Sequence, residues 1–588
     1  MTILPLIAAC AVILAIAYVT YGKLIMKWFG ADDSRKTPAV EFEDGSDYVP
    51  ASVPVVLGGH FTAIAAAGPV VGPIMAASMF GWVPALLWIL LGSIFIGGIH
   101  DAGALLASIR HKAQSIMQVV RTHMSRRAYL LFLGFVWLSL IYVIIAFADV
   151  TAGSFAAFEK FEMKSGDQLI PLSINGGAVA IGASAYLLFS VALGLLLRFT
   201  KTPWWLGLVA ACAGLGLVIA FAPSWAAWLA DNTPLAFMNT AGETASARTW
   251  ALVLLIYCFF ASVVPMWALL QPRGLIGATF MYVTLAFGIT GAVIGGLFTH
   301  DTSLVINWQR AFAGAGGEAA PYLYPVLFIT IACGACSGFH SIVGSGTTCK
   351  QVRKESDVKP VAYGAMLLEA MVAIFALSCV MVLASDVKIK GTDADIIYAR
   401  GIGNFMHLTG IPLAFAVSFA MLAFSSFVFD TLDVCTRLGR YVVQELTGLK
   451  GIAGGAVATL LTLGLPAAYL ALAPAGSFVK FWTIFGTSNQ LLAGLTLVGV
   501  SVWLWRTGRP VWFALAPAIF MLITTGTALI INFNRFLGDF QKAAADARTL
   551  PVINMAVAAV LFVLGLLVAL EAIRIWRVSR TATVDIPA

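Results

Sequence analysis

Two apolar stretches of this chain are cut open by glycine and proline, and each cut carries a histidine. The first, residues 54–75, reads PVVLGGHFTAIAAAGPVVGPIM around His60; the second, Cys333 to Thr348, reads CGACSGFHSIVGSGTT around His340. Breaking a helix in hydrocarbon strands backbone N–H and C=O groups, which is tolerated only where protein, a cavity, an ion or a substrate satisfies them. Two such breaks, far apart and each with a Gly/His/Phe cluster (GGHF at 58–61, GFH at 338–340), are the pattern of paired discontinuous helices around a central site. The candidate binding residues are therefore Gly59, His60, Phe61, Gly68, Pro69 and Gly72 in the first break, and Ser337, Gly338, Phe339 and His340 in the second.

The breaks matter because the rest of the chain is membrane-spanning. Over 588 residues it is 60% hydrophobic and 11% charged, with a mean hydropathy of +0.93, outside the range of soluble chains. At about 20 apolar residues per span, fifteen spans are expected: 4–21, 53–77, 82–109, 129–158, 174–197, 204–222, 250–271, 274–298, 324–347, 361–385, 411–432, 452–473, 481–505, 511–533 and 552–573. The first has no Lys or Arg before it, while Lys23 and Lys27 follow it, so it is read as a retained span rather than a signal peptide. With the N-terminus outside and the C-terminus cytoplasmic, 24 of the 35 Lys and Arg residues fall on the cytoplasmic face and 11 outside. The net charge of +7 is then loop charge facing anionic lipid, and implies no nucleic-acid partner.

The expected fold class is all-α integral membrane with a five-plus-five inverted repeat. The broken spans 2 and 9 each open a group of five and lie seven spans apart, an odd number, so the two groups cross the membrane in opposite senses. The organisation is 1–52, an N-terminal span and cytoplasmic linker; 53–222, repeat 1; 223–323, two accessory spans; 324–505, repeat 2; and 506–588, two further spans and a tail. The stretch 436–450 is expected as a short amphipathic helix along the membrane, and 386–410 as a polar loop. No soluble domain, no ATP-binding G-x-x-x-x-G-K-[ST] and no zinc-type ligand spacing is present, so no enzyme activity and no cofactor are expected. Cys333 and Cys336 form a C-x-x-C, read as small packing residues inside a span.

Several blocks have a familiar look: HFTAIAAAGPVVGPI (60–74), GGIHDAGALLASIRHKAQSI (97–116), LIYVIIAFADVTAGSF (140–155), PMWALLQPRG (265–274), ITIACGACSGFHSIVGSGTTCKQV (329–352), DTLDVCTRLGRYVVQE (430–445) and FGTSNQLLAGLTL (485–497). In order from about residue 50 to residue 500, they resemble the carbon starvation protein A family, with Cys349 standing where the family has proline. The resemblance implies a bacterial inner-membrane carrier of the amino acid–polyamine–organocation superfamily, with peptides or pyruvate as substrate.

Ionisable groups inside spans cost about 2.5–3.5 kcal/mol each on insertion scales, so each calls for a reason. Glu369 and Asp149 are candidates for proton coupling, with a structural acid and a headgroup-level residue as the respective alternatives. His100 and Asp101, expected near the cytoplasmic end of span 3, are gate candidates or a solvated helix end. Asp430, Asp433 and Arg437, near the inner end of span 11, are gate candidates or a structural group, with Arg437 spaced i+4 from Asp433 as in a helical ion pair. Arg273 could meet an anionic substrate bidentately but is read as a positive-inside anchor. Ser425 and Ser426 pair hydroxyls in span 11; resemblance to sodium-coupled members of the superfamily implies a Na⁺ site there, and helix packing is the other reading. The reading is a secondary transporter importing small carboxylate-bearing nutrients, coupled to H⁺, with Na⁺ coupling as the alternative and a membrane nutrient sensor without flux as a reading from another class.

Overall fold

A computed structural model describes residues 2–44, 48–65, 67–165, 168–233, 243–265, 267–299, 301–312, 322–383, 394–472, 478–543 and 548–577. Arg580, one of the 24 Lys and Arg residues assigned to the cytoplasmic face, and residues 386–393 of the expected loop 386–410 lie outside them. Among the described residues, thirteen helices are long and apolar enough to span a bilayer, and a bent pair makes a fourteenth. In chain order, and including the shorter ones that build the centre, the helices are α1 (Leu4–Phe29), the pair α2 (Val53–Ile64) and α3 (Gly68–Phe80), α4 (Trp82–Arg110), α5 (Arg126–Ala156), α6 (Gly176–Phe199), α7 (Trp204–Asn232), α8 (Glu243–Val263) and α9 (Leu270–Phe298). There follow α10 (Leu323–Thr330), α11 (Gly338–Gly346), α12 (Glu355–Met381), α13 (Ala394–His407), α14 (Leu413–Thr447), α15 (Gly451–Leu472), α16 (Phe478–Arg506), α17 (Trp512–Lys542) and α18 (Thr549–Arg577). The only strands among the described residues, β1 (Phe158–Ser165) and β2 (Gln168–Asn175), form an antiparallel hairpin between α5 and α6.

Both expected breaks are real. α2 stops at Ile64 and α3 resumes at Gly68 with the axes 45° apart. α10 and α11, of 8 and 9 residues, are each too short to span, and an irregular segment, 331–337, joins them. The backbone groups this frees are taken by side chains: Trp88 Nε1–H donates to Ile331 O, Trp482 Nε1–H to Thr330 O (3.1 Å each), and Gln490 Nε2–H to Phe328 O. The two breaks also touch. A Cβ at Gly72 would lie 2.7 Å from Thr330 O, and one at Gly68 would run into the Cys333 side chain. Glycine is needed at both because the irregular backbone of one break lies against the helix that resumes after the other.

Burial sorts the helices into centre and rim. The apolar stretches of α16, α12 and α14 are 100%, 89% and 83% buried, whereas those of α1, α7 and α18 are 22–28% buried and present Leu, Val and Ile outward as lipid-facing helices do. Segments expected on one side of the membrane meet there. Asn307 N–H donates to Met381 O, Val83 N–H to Ala311 O and Ile3 N–H to Leu304 O, while on the other side Val49 N–H reaches Lys350 O. Two expectations fail. Residues 436–450 form no separate helix, because nothing interrupts α14 until Gly448 at φ +75°. Within the expected polar loop 386–410, residues 394–407 form α13, which packs against α14, where Tyr398 meets Phe424, and buries Ile396, Ile397, Tyr398 and Phe405.

Gly72→Ala should lower thermal stability by about 1–3 kcal/mol, the usual cost of forcing volume into a packed core. Gly59→Ala, where an added Cβ meets nothing within 4 Å, should melt as the parent does in the same detergent-unfolding assay.

Candidate functional site

Four buried residues from three helices form a continuous polar chain at the second break. His100 and Asp101 lie on α4, His340 on α11 and Glu369 on α12, all 3% exposed or less. Asp101 accepts from His100 Nδ1 at 2.7 Å through Oδ1 and from His340 Nδ1 at 2.8 Å through Oδ2. On the other side of the imidazole, His340 Nε2 lies 3.1 Å from Glu369 Oε2, an ion-pair distance at which neither atom is aligned for a hydrogen bond. The neighbouring backbone is shaped for this meeting. A π-turn precedes each acid, Ser93–Gly97 before Asp101 and Lys359–Gly364 before Glu369, and Gly98 packs on Tyr363 between them.

The chemistry follows from donor counting. Both imidazoles face a carboxylate with Nδ1, so both carry hydrogen there. Nε2 of neutral His340 is then an acceptor, and Glu369 beside it is the protonated acid; if His340 is the imidazolium, Glu369 is the carboxylate. Either way one proton belongs to the His340–Glu369 pair. Its removal leaves a carboxylate in the protein interior without compensation, a strongly unfavourable state. Glu369 Oε1, His100 Nε2 and His60 Nε2 are buried with no hydrogen-bond partner, so the centre keeps unused polar capacity.

A second cluster joins Arg273 to Asp430 and Asp433. Arg273 of α9, 2% exposed, is no surface anchor: its Nε lies 2.5 Å from Asp430 Oδ1 and its Nη1 contacts Asp433 Oδ2. Tyr186 O–H donates to Asp430 at 3.0 Å and Tyr257 O–H to Asp433 at 2.6 Å. Arg437 does not pair with Asp433 despite the i+4 spacing. It turns to the carbonyls of Ala261 and Val264, 2.7 Å each, at the end of α8, because Arg273 already occupies the carboxylate.

The other candidates are scattered. His60 Nδ1 bonds Thr348 Oγ1 at 2.9 Å, joining the first break to the end of the second. Phe61 stacks on Tyr282, ring centroids 5.7 Å apart. Gly59 is exposed and faces away from the centre. Pro69 is buried beside Gly334 of the second break. Ser337, Gly338 and Phe339 are held by Asn489 of α16: its Oδ1 accepts from Phe339 N–H at 3.0 Å, and its amide bonds Ser337 Oγ. His100 and Asp101 are not a solvated end, since α4 runs on to Arg110, ten residues or about 15 Å further. Asp149 is buried in α5 and stands outside the four-residue chain. Ser426 Oγ–H back-bonds to Leu422 O, whereas Ser425 Oγ is buried without a partner. Among the described residues no three His, Cys, Asp or Glu side chains are arranged to hold a metal ion. Asn489 and Arg273 are the residues sequence reasoning missed. The signal for Asn489 was the polar run GTSNQ inside an otherwise apolar span.

Removing Arg273 leaves two buried carboxylates without their cation. Arg273→Met should therefore cost about 3–5 kcal/mol, read as a large loss of melting temperature, and adding Asp430→Asn and Asp433→Asn should return part of it.

The model of the carbon starvation protein CstA family matches residues 2–396 and 388–528. The peptide transporter CstA of Bacillus subtilis (strain 168) is 31% identical over 98% of this chain and 97% of its own length. The pyruvate/proton symporter BtsT of Escherichia coli (strain K12) is 28% identical over 89% of this chain and 81% of its own. Among solved structures, MhsT in complex with L-phenylalanine overlays with a TM-score of 0.47 at 13% identity, covering 89% of this chain and 99% of that one. Matched along most of its length, and with relatives that carry the names of transporters rather than enzymes, this chain belongs to the carbon starvation protein CstA family.

Proposed function

We propose that this protein is a secondary transporter of the bacterial inner membrane that imports small carboxylate-bearing nutrients, pyruvate or peptides, together with protons. The observation that carries the proposal is the His340–Glu369 pair, a one-proton store buried where a broken helix meets the centre. The relatives named for peptide transport and for pyruvate/proton symport support the substrate class. A substrate carboxylate is received by the positive ends of the helices that start at Gly68 and Gly338, with the buried, unpartnered Nε2 of His60 as a further donor. The lysine and arginine distribution supports an outside N-terminus and a cytoplasmic C-terminus.

In this reading Glu369 is the group that loads and releases the proton, His340 relays it, and Asp101 fixes the ring of His340. The Arg273–Asp430–Asp433 cluster, which ties α9 to α14, forms the gate. A Na⁺-coupled reading rests on the unpartnered Ser425 Oγ of α14, which packs against α2.

Glu369→Gln should abolish substrate accumulation driven by an imposed pH gradient in proteoliposomes while leaving substrate exchange largely intact. Exchange needs only rocking around a loaded site, and net uptake needs the proton to leave. Wild-type accumulation in the variant would remove Glu369 from the mechanism, and no flux of any carboxylate or peptide in the parent would favour a sensor. If Na⁺ is the coupling ion, Na⁺ raises substrate affinity in the parent, and Ser425→Ala/Ser426→Ala flattens that dependence without loss of folding.

A further inference from the structure

Away from the broken helices, a cavity of about 360 Å³ opens on the side of the chain that carries the 23–52 linker. Arg35 of that linker, Arg110 and His111 at the end of α4, and His123 of a short helix (Ile116–His123) form part of its wall. Thr507 and Arg509, in the turn from α16 to α17, close it over the ring of Trp503. None of the lining residues is acidic, although three guanidinium groups from three separate segments converge there.

The three arginines are differently engaged. Arg110 is committed: its Nε and Nη2 reach Glu355 at 3.0 and 2.8 Å, and its Nη1 and Nη2 donate to the carbonyls of Phe29 and Gly30 at 3.1 and 2.6 Å. Arg35 meets Asp32 at 3.5 Å, a pair about half exposed and so weakly held. Arg509 has no carboxylate within ion-pair distance and no side-chain hydrogen bond among the described residues. Its guanidinium lies over Gly30, whose left-handed backbone at φ +58° carries no Cβ to displace it. The histidines add polar surface rather than charge. His111 donates from Nδ1 to Ala107 O, and its Nε2 pairs with His123 Nε2, both contacts 2.6 Å. Burial, helped by Arg110, holds His111 below the usual imidazole range. Burial, His111 and Arg506 push His123 down to about 3.

The cavity sits where the spans α4 and α16 end, the level at which spanning helices meet the lipid headgroups, and Trp512, three residues beyond Arg509, is exposed and packs edge-on against Trp28 with ring centroids 4.9 Å apart. Converging guanidiniums around open volume repel one another until an anion lies between them. A tetrahedral phosphoryl group presents three oxygens in diverging directions, where a carboxylate presents two in one plane, and so suits arginines converging from several segments. Basic pockets between spans on the Lys/Arg-rich side are also where anionic headgroups are met. We propose that this cavity is an anion site that takes a phosphoryl oxyanion, held by Arg509 and Arg35 with Arg110, already tied to Glu355, in its wall, and supplied either by an anionic lipid headgroup or by phosphate in solution. Bound there, the anion ties the end of α1, the end of α4 and the α16–α17 turn into one unit.

The test uses the full chain in phosphatidylcholine nanodiscs, titrated with inorganic phosphate or with chloride at matched ionic strength while unfolding is followed by tryptophan fluorescence. A parallel series replaces part of the phosphatidylcholine with phosphatidylglycerol. The melting temperature should rise with phosphate, with phosphatidylglycerol or with both, and Arg509→Gln should weaken the response about tenfold or more. A rise with phosphate alone assigns the soluble source, and one with phosphatidylglycerol alone assigns the lipid. Arg35→Gln, at an exposed position that does not threaten folding, should weaken the response in the same direction. Equal rises with chloride, no rise with either phosphoryl source, or a response unchanged in both variants would overturn the site.

Discussion

One imidazole held between two carboxylates organises this protein. His340 stands between Asp101 and Glu369 in an interior where an uncompensated charge is among the most costly things a fold can contain. The three helices concerned have to bring those groups together and keep them dry, and much of the local irregularity serves that end. The π-turns before Asp101 and Glu369 set the approach of α4 and α12, and the α10–α11 break lets His340 enter between them. Asn489, Trp88, Trp482 and Gln490 then occupy the polar backbone groups that the break exposes.

The second buried cluster follows the same electrostatic rule with the opposite balance. Around His340 two acids share a proton-bearing ring; around Arg273 two acids share a permanent cation. Arginine stays charged at any accessible pH, so the Arg273 cluster is suited to joining helices α9 and α14 and not to exchanging protons. This physical contrast is why the proposal gives coupling to the first cluster and gating to the second. The cavity lined by Arg35, Arg110 and Arg509 is a third case, in which cations from three segments face a space that no acid lines.

The architecture was largely legible in the sequence because hydropathy and glycine–proline interruptions are local signals. The spans, both breaks and the positions of His60 and His340 follow from residues read a few at a time. The pairings were not legible, because they join residues far apart in the chain: Asp101 and His340 are separated by 239 positions. The local rule applied to Asp433 and Arg437 failed because Arg273, from another helix, took the carboxylate and carbonyls at the end of α8 took Arg437. Arg273 itself looked like an interface anchor because it follows an apolar run, and only the fold shows it enclosed. α13 was hidden because the polar character of the surrounding loop masked a short buried helix.

The most direct measurement of the central claim is the number of protons taken up per substrate in weakly buffered proteoliposomes, for the parent and for Glu369→Gln. The account predicts one proton entering with each substrate in the parent and none in the variant, since the variant cannot empty the store. Proton uptake that is the same in both, or absent in a parent that still accumulates substrate, would contradict it.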